Sequence, residues 1–371
     1  MPKRIYFLDS LRGIAAVTVI ATHFAETFQE ESLAKEIFQP LGRSAVIFFF
    51  LLSGIALSLA LKNKSNFSWQ EYGAFLVKRF CRIYLPFLAV IILAECLFLG
   101  FEPTGIAGLS SWFNAEGTTL QWHVFFENIF MVGNDVDRID PVIWSLIVEL
   151  RISIVFPLFY YFIKNKGIKW AAGFVILAFG LGTVVLFAID QQFMLGQTIF
   201  HLGFFIIGIV LALHWDAVWA FSRNQKIAVT AFSMVLYLHV IVLHLVGINL
   251  PQVFSDVVIS IGCVGILLVC FQSKKAQNFL VQPIYLFLGK ISFSIYLVHC
   301  VVFIPWIYLL YDTIPSIFVI ELLSLPLIFA AAYLSYVLIE KSALQLGRKL
   351  EKTINHFHLN LADTGKERMN G

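Results

Sequence analysis

Charge is scarce in this chain. Its 371 residues include 26 Lys and Arg and 23 Asp and Glu, so 13% are charged while 59% are hydrophobic. A soluble domain has roughly a quarter of its residues charged. With a mean hydropathy of +0.84, a soluble globular fold of this length is excluded and a polytopic membrane protein is expected. Cysteine is scarce too. Cys81, Cys96, Cys263, Cys270 and Cys300 are scattered, without C-x-x-C or zinc-type spacing, and read as core thiols. The soluble-enzyme signatures are missing: no H-E-x-x-H, P-loop, G-x-S-x-G or Rossmann glycine run occurs. No fixed-period repeat or low-complexity segment stands out. The formal net charge of +3 says little by itself. Neither a metal, nor a bound cofactor, nor nucleic acid is expected as a partner.

What the chain has instead is apolar length. Runs long enough to cross a bilayer lie near 10–28, 44–61, 82–100, 142–163, 170–189, 193–214, 227–247, 253–271, 284–310 and 316–339. The expected fold class is all-α, a bundle of about ten transmembrane helices. Residues 1–345 form the membrane domain and 346–371 a short tail, too short and polar for a second enzyme domain. Lys3 and Arg4 precede the first run as in a signal peptide, but Asp9 and Arg12 interrupt its start and no clean cleavage site follows, so a retained anchor helix is expected. Alternate loops are basic, with Lys62, Lys64, Lys78, Arg79 and Arg82 in the second and Lys164, Lys166 and Lys169 in the fourth. The intervening loops are poor in Lys and Arg, and the third (101–141) is acidic. Both termini are therefore expected in the cytoplasm. Only the first loop, with Lys35 and Arg43, is ambiguous.

Chemistry in such a chain must come from polar groups inside the bundle. Arg12 and His23 stand eleven residues apart on the first helix. At 100° per residue they share one stripe, with His23 about 16 Å further along the axis and near mid-membrane. A membrane histidine ordinarily hydrogen-bonds to a neighbouring helix; the functional reading is a general base. Asp9, one turn before Arg12, pairs with it or caps the helix. Lys78, Arg79 and Arg82 form a second cluster, either plain positive-inside anchors or a phosphate clamp for a cytoplasmic anion. Trp144, Ser145, Glu149 and Arg151 form a third, read as buried toward the outer side. Glu149 there orients helices by an ion pair, orients a base or holds a sugar hydroxyl. Tyr296 and His299, one turn apart, form a fourth. His201, His214, His239 and His244 show no partner pattern and read as structural.

These pieces, in this order, resemble the acyltransferase-3 family of integral-membrane O-acyltransferases over about residues 5–345. Leu8-Asp9-Ser10-Leu11-Arg12-Gly13 with His23 resembles its opening motif, a basic residue, ten residues, then histidine. Phe48 to Gly54 resembles its F-x-L-S-G segment, and Arg79-Phe80-Cys81-Arg82 its R-x-x-R. Trp144-Ser145-Leu146 with Glu149 resembles W-S-L-x-x-E, Ser292 to His299 resembles S-x-S-x-Y-L-x-H, and Glu340-Lys341 the closing E-K. The resemblance implies about ten helices in the bacterial cytoplasmic membrane. It also implies transfer of an acyl group, commonly acetyl from cytoplasmic acetyl-CoA as co-substrate, onto a hydroxyl of a cell-surface glycan or its lipid-linked precursor. His23 is then the leading catalytic residue, as general base or as acyl carrier, with Arg12 and Glu149 beside it. Lys78, Arg79 and Arg82 hold donor phosphates, and Trp144, Tyr296 and His299 face the acceptor. The acidic residue that many members carry after that glutamate is replaced by Leu150, Arg151 and Ser153, so the acceptor is expected to differ. The extracytoplasmic hydrolase-like domain of some members is not seen; the chain then modifies its acceptor itself or passes the acyl group to another protein. Two rival classes are a transporter or flippase for a glycan or polar metabolite, expected to show broken helices in paired halves, and a membrane scaffold.

Overall fold

In a computed structural model, residues 5–29, 33–62, 67–101, 105–115, 122–131, 140–189, 194–218, 220–248 and 250–354 are described, and they contain helices but no strand. Lys3, Arg4, Lys64 and the tail beyond 354 lie outside them. So do Glu102, Glu116, Asp135 and Asp137, most of the third loop's acidic residues. Helices suit this composition because each closes its own backbone hydrogen bonds, and apolar surroundings offer no other partner. In chain order they are α1 Tyr6–Thr27, α2 Leu33–Leu61, α3 Trp69–Phe101, α4 Ser111–Ala115, α5 Trp122–Phe130, α6 Ile143–Lys166, α7 Ile168–Ala188, α8 Met194–His214, α9 Arg223–Leu245, α10 Gln252–Gln272, α11 Lys274–Leu280 and α12 Pro283–Leu310. The last, α13, runs over Ile317–Ile354 with one turn of π-helix at Tyr336–Glu340. Ten of these are long and apolar enough to cross a membrane.

The spans correspond to the expected ten, but three bounds move. α2 begins at Leu33 rather than 44, α3 at Trp69 rather than 82, and α13 ends at Ile354 rather than 339. The reason is the same in each. An apolar run appears to stop at its first charge, whereas a charge that finds a partner inside the bundle leaves the helix intact. Arg43 therefore lies within α2, and Lys78 and Arg79 lie within α3. The third loop is also partly helical, since α4 and α5 form inside it.

α1 packs between α2 and α12, α2 also packs on α8, and α12 packs on α13 and α3. Two crossings are set by glycine. A Cβ on Gly13 would stand 2.5 Å from the Gly289 backbone, and one on Gly54 would stand 2.5 Å from the Phe205 carbonyl. Only missing side chains let the α1–α12 and α2–α8 backbones approach so closely. The neighbouring polar residues Arg12 and Ser53 are thereby pressed against facing helices. α7 and α9 lie outside this centre, on α8 and α10. In its most apolar stretch α2 is 78% buried and α9 only 6%, which leaves α9 facing lipid.

Candidate functional site

The polar residues gather in three places around the α1–α2–α12 centre. The largest is a cavity of about 340 Å³ among α1, α2, α3, α6, α12 and α13. Arg12, Lys78, Arg79, Arg82 and Arg348 give it five basic side chains, and Glu149 and Glu351 two acidic ones. Arg12 donates from Nη2 to the Leu52 carbonyl at 3.1 Å. Arg79 donates from Nη2 to Glu149 Oε1 at 2.5 Å and from Nε to Ser153 Oγ at 3.2 Å. Ser53 Oγ donates to the same Glu149 oxygen at 3.2 Å.

This geometry joins two clusters that the sequence separates. The donor-side arginines and the supposed outer carboxylate share one cavity, because α3 starts early enough to carry Arg79 well inside the bundle. Glu149 is the counter-ion of Arg79. A buried carboxylate lets a buried guanidinium persist without an anionic ligand. Ser153, where the family pattern departs, anchors the Arg79 Nε. Arg151 turns away and donates to the Met131 carbonyl at 3.0 Å.

At the cavity's inner end Ser145 Oγ and the Tyr296 hydroxyl are 2.7 Å apart. Ser145 also donates to the Val142 carbonyl at 3.0 Å, so its one hydrogen is committed and the Tyr296 hydroxyl donates to Ser145. Phe49 covers the Tyr296 ring with centroids 5.4 Å apart.

One turn beyond Tyr296 lies the second place, a chamber of rings. His23 stacks on Trp112 of α4 with centroids 5.3 Å apart, and the tilted ring of His299 has its centroid 5.2 Å from that of His23. His23 Nδ1 lies 2.8 Å from Glu26 Oε2. Glu26 accepts from Nδ1–H and so leaves Nε2 as the ring's acceptor. His299 is fully buried; its Nδ1 donates to the Ile295 carbonyl at 3.0 Å, and its buried Nε2 has no partner among the described residues. Donor atoms of His23, His299 and Cys300 lie within 4.8 Å of one another, a grouping that a soft metal ion could also use.

Neither His23 nor His299 lines the cavity, and Arg12 and His23, though on one helix, serve different places. His23 lies four residues from the end of α1 at Thr27. Asp9 is in the first turn and the helix cap is Ile5, so Asp9 is not the cap. Glu26 escaped the sequence reading, although the signal was present: three residues after His23 it shares a helix face.

The third place is Trp144, which is not part of the cavity lining. The Arg43 guanidinium lies over its ring at 5.1 Å. Arg43 grips fully buried Asp256 from Nε and Nη2, the latter at 2.6 Å, and reaches His201 Nε2 at 3.2 Å. His201 donates from Nδ1 to the Gln197 carbonyl at 2.6 Å. This explains how Arg43 is accommodated in α2 and what His201 does there.

Comparison with known proteins adds a chemistry to this geometry. A family model described as an acyltransferase domain matches residues 5–340. Acyltransferase MdmB of Streptomyces mycarofaciens is 25% identical over 330 residues, which cover 81% of this chain and 80% of that protein. Protein 2 in picA locus of Rhizobium radiobacter is 33% identical over 112 residues, covering 29% of this chain and 55% of that protein. No solved structure matches.

Proposed function

Since the chain belongs to the acyltransferase-3 family and is a multi-pass membrane acyltransferase, we propose that it moves an acetyl group from cytoplasmic acetyl-CoA to a hydroxyl of a cell-surface glycan or its lipid-linked precursor, working in the bacterial cytoplasmic membrane with both termini inside. The single observation that carries this reading is the cavity: five basic side chains inside a largely apolar bundle, ending at Tyr296 one turn before His299, whose ring lies 5.2 Å from that of His23. Basic groups inside a membrane are costly, and an anionic donor is a reason to keep them. Guanidinium suits phosphate.

In this reading the phosphates of the donor rest on Lys78, Arg79 and Arg82, and the thioester lies toward Tyr296. His23 Nε2 takes the proton of the acceptor hydroxyl while Glu26 holds the tautomer and stabilises the imidazolium. The hydroxyl oxygen attacks the thioester carbonyl carbon, the C–S bond breaks, and the thiolate leaves as CoA with that proton. Arg12 supplies positive charge along the donor's path. Trp144 sits over Arg43 and supports the bundle beside the site, so its part in acceptor binding is indirect. His299 Nε2 is a buried atom without a partner among the described residues, on a ring 5.2 Å from that of His23.

The test is the O-acetyl content of the host's surface polysaccharide, read by NMR in a deletion strain complemented with wild type or His23→Ala. Acetyl lost on deletion and restored only by wild type, at equal expression, is the expected result. An unchanged spectrum on deletion overturns the glycan acceptor. Restoration by His23→Ala overturns the role of His23.

A further inference from the structure

The family match ends at residue 340, but the cavity does not. α13 continues unbroken to Ile354, and Leu344, Arg348 and Glu351 from this continuation line the cavity. Their spacing of four and then three places all three on one helix face.

What docks the continuation against α3 is a pair of small residues four apart. A Cβ on Gly347 would stand 3.2 Å from the Cys81 side chain and 3.4 Å from the Lys78 Cα, and Ala343 is buried. Small residues at this spacing let helix backbones approach closely. The close approach brings Glu351 to Lys78, with Nζ 3.0 and 3.2 Å from its two carboxylate oxygens. The side chains of this pair are 42% and 23% exposed, and Arg348 is exposed too. These residues therefore mark the mouth of the cavity, while Ser145 and Tyr296, both buried, mark its inner end. A pair so exposed holds only weakly, so a multivalent anion can displace it.

The cavity's volume, about 340 Å³, falls near the lower limit for drug-sized ligands. A whole acyl-CoA is larger, so the slender pantetheine arm fits inside and the phosphate-bearing nucleotide end stays at the mouth. Deeper in, Arg79 already has Glu149 and Arg12 the Leu52 carbonyl. The outermost phosphates of an incoming nucleotide therefore meet the cations at the mouth, with Arg79 and Arg82 beneath them.

We infer that the helical continuation beyond the family domain is part of the donor site: Arg348 and Lys78 bind the phosphates of the nucleotide end, and Glu351 holds Lys78 until those phosphates take its place. The inference rests on the acyl-CoA reading above. It makes Arg348 a donor-affinity residue supplied from outside the family domain, and Glu351 an anion that competes with the donor.

The experiment uses the full chain in nanodiscs and measures binding of CoA, dephospho-CoA and pantetheine, with kcat and KM for acetyl-CoA alongside. Arg348→Ala is expected to weaken CoA about tenfold, to narrow the preference for CoA over dephospho-CoA, to leave pantetheine binding unchanged, and to raise the KM for acetyl-CoA far more than it lowers kcat. Glu351→Gln is expected to tighten CoA a few-fold, a gain that misfolding cannot produce. Gly347→Leu, which pushes the continuation off α3, is expected to weaken CoA as Arg348→Ala does. If wild type fails to bind CoA, the donor reading falls and this inference with it. If wild type binds CoA and both Arg348→Ala and Glu351→Gln match it, the inference alone is overturned.

Discussion

The cavity and the ring chamber are one helical turn apart, at Tyr296 and His299 of α12, and they are built from different materials. The cavity takes formal charge from α1, α3, α6 and α13: five cations, with Glu149 and Glu351 set against them. The chamber takes two imidazoles, an indole and a thiol from α1, α4 and α12, with Glu26 as the carboxylate against His23. Under the proposed function the difference is a division of labour between anion capture and proton handling. Anion capture needs fixed positive charge, which a bundle holds only with counter-ions such as Glu149 at hand. Proton handling needs a ring that is neutral at rest and has its tautomer fixed, as Glu26 fixes that of His23. Placing the two apart keeps the cations from crowding the base.

The hardest blow to this comparison falls on the chamber. His23→Ala is expected to lower kcat about 10²- to 10⁴-fold, the usual worth of a positioned general base, without shifting donor affinity. Acetyl-CoA turnover and CoA binding on the same preparation check it. Loss of CoA binding in parallel with kcat would merge the two regions into one. Glu26→Gln keeps the shape and removes the charge, and is expected to fall between wild type and His23→Ala.

The cavity has its own expected failure. Glu149→Ala leaves Arg79 uncompensated, and breaking a mostly buried pair from one side costs about 3–5 kcal/mol. Stability should drop steeply, read as melting temperature in detergent. Replacing both partners, Arg79→Met with Glu149→Leu, is expected to recover most of that stability and none of the donor binding. A double variant as unstable as Glu149→Ala would mean that the pair acts in packing and not as charge and counter-charge. Both regions hang on the α1–α12 crossing, so Gly13→Val should disturb them together. A Cβ there has 2.5 Å of room, and forced overpacking costs about 1–3 kcal/mol. Its signature is a lower melting temperature with kcat and CoA affinity both reduced.

The ten spans could be read from the sequence because apolar length dictates them, and Arg12, Arg79, Arg82 and Glu149 could be read because charge inside such spans is conspicuous. What could not be read is which charges meet. Arg79 and Glu149 are 70 residues apart and Arg43 and Asp256 are 213 apart; helical periodicity reports only neighbours on one helix. For the same reason α2 and α3 looked shorter than they are. Their charges break the apolar run in sequence and are paired in space. Glu26 was legible by its spacing but was passed over, because a carboxylate at a span end looks like a boundary. Trp112 and the continuation of α13 gave no signal, as neither lies in an apolar run with a polar partner at helical spacing.

The smallest expected effect falls on the wall between the two regions. Tyr296→Phe removes the one donor that joins Tyr296 to Ser145 while Ser145 keeps the Val142 carbonyl, and the ring keeps its contact with Phe49. A single hydrogen bond of this kind is worth about 1 kcal/mol, so stability should barely move and kcat should fall less than tenfold. The informative readout is elsewhere. If the hydroxyl pair closes the passage between the cavity and the chamber, Phe at 296 loosens the closure, and water reaches the thioester more often. CoA release without acceptor should then rise a few-fold relative to transfer. An unchanged ratio, with kcat lowered all the same, would make Tyr296 a group that positions the thioester within an already open passage, and the two regions would be one continuous site divided only by their chemistry.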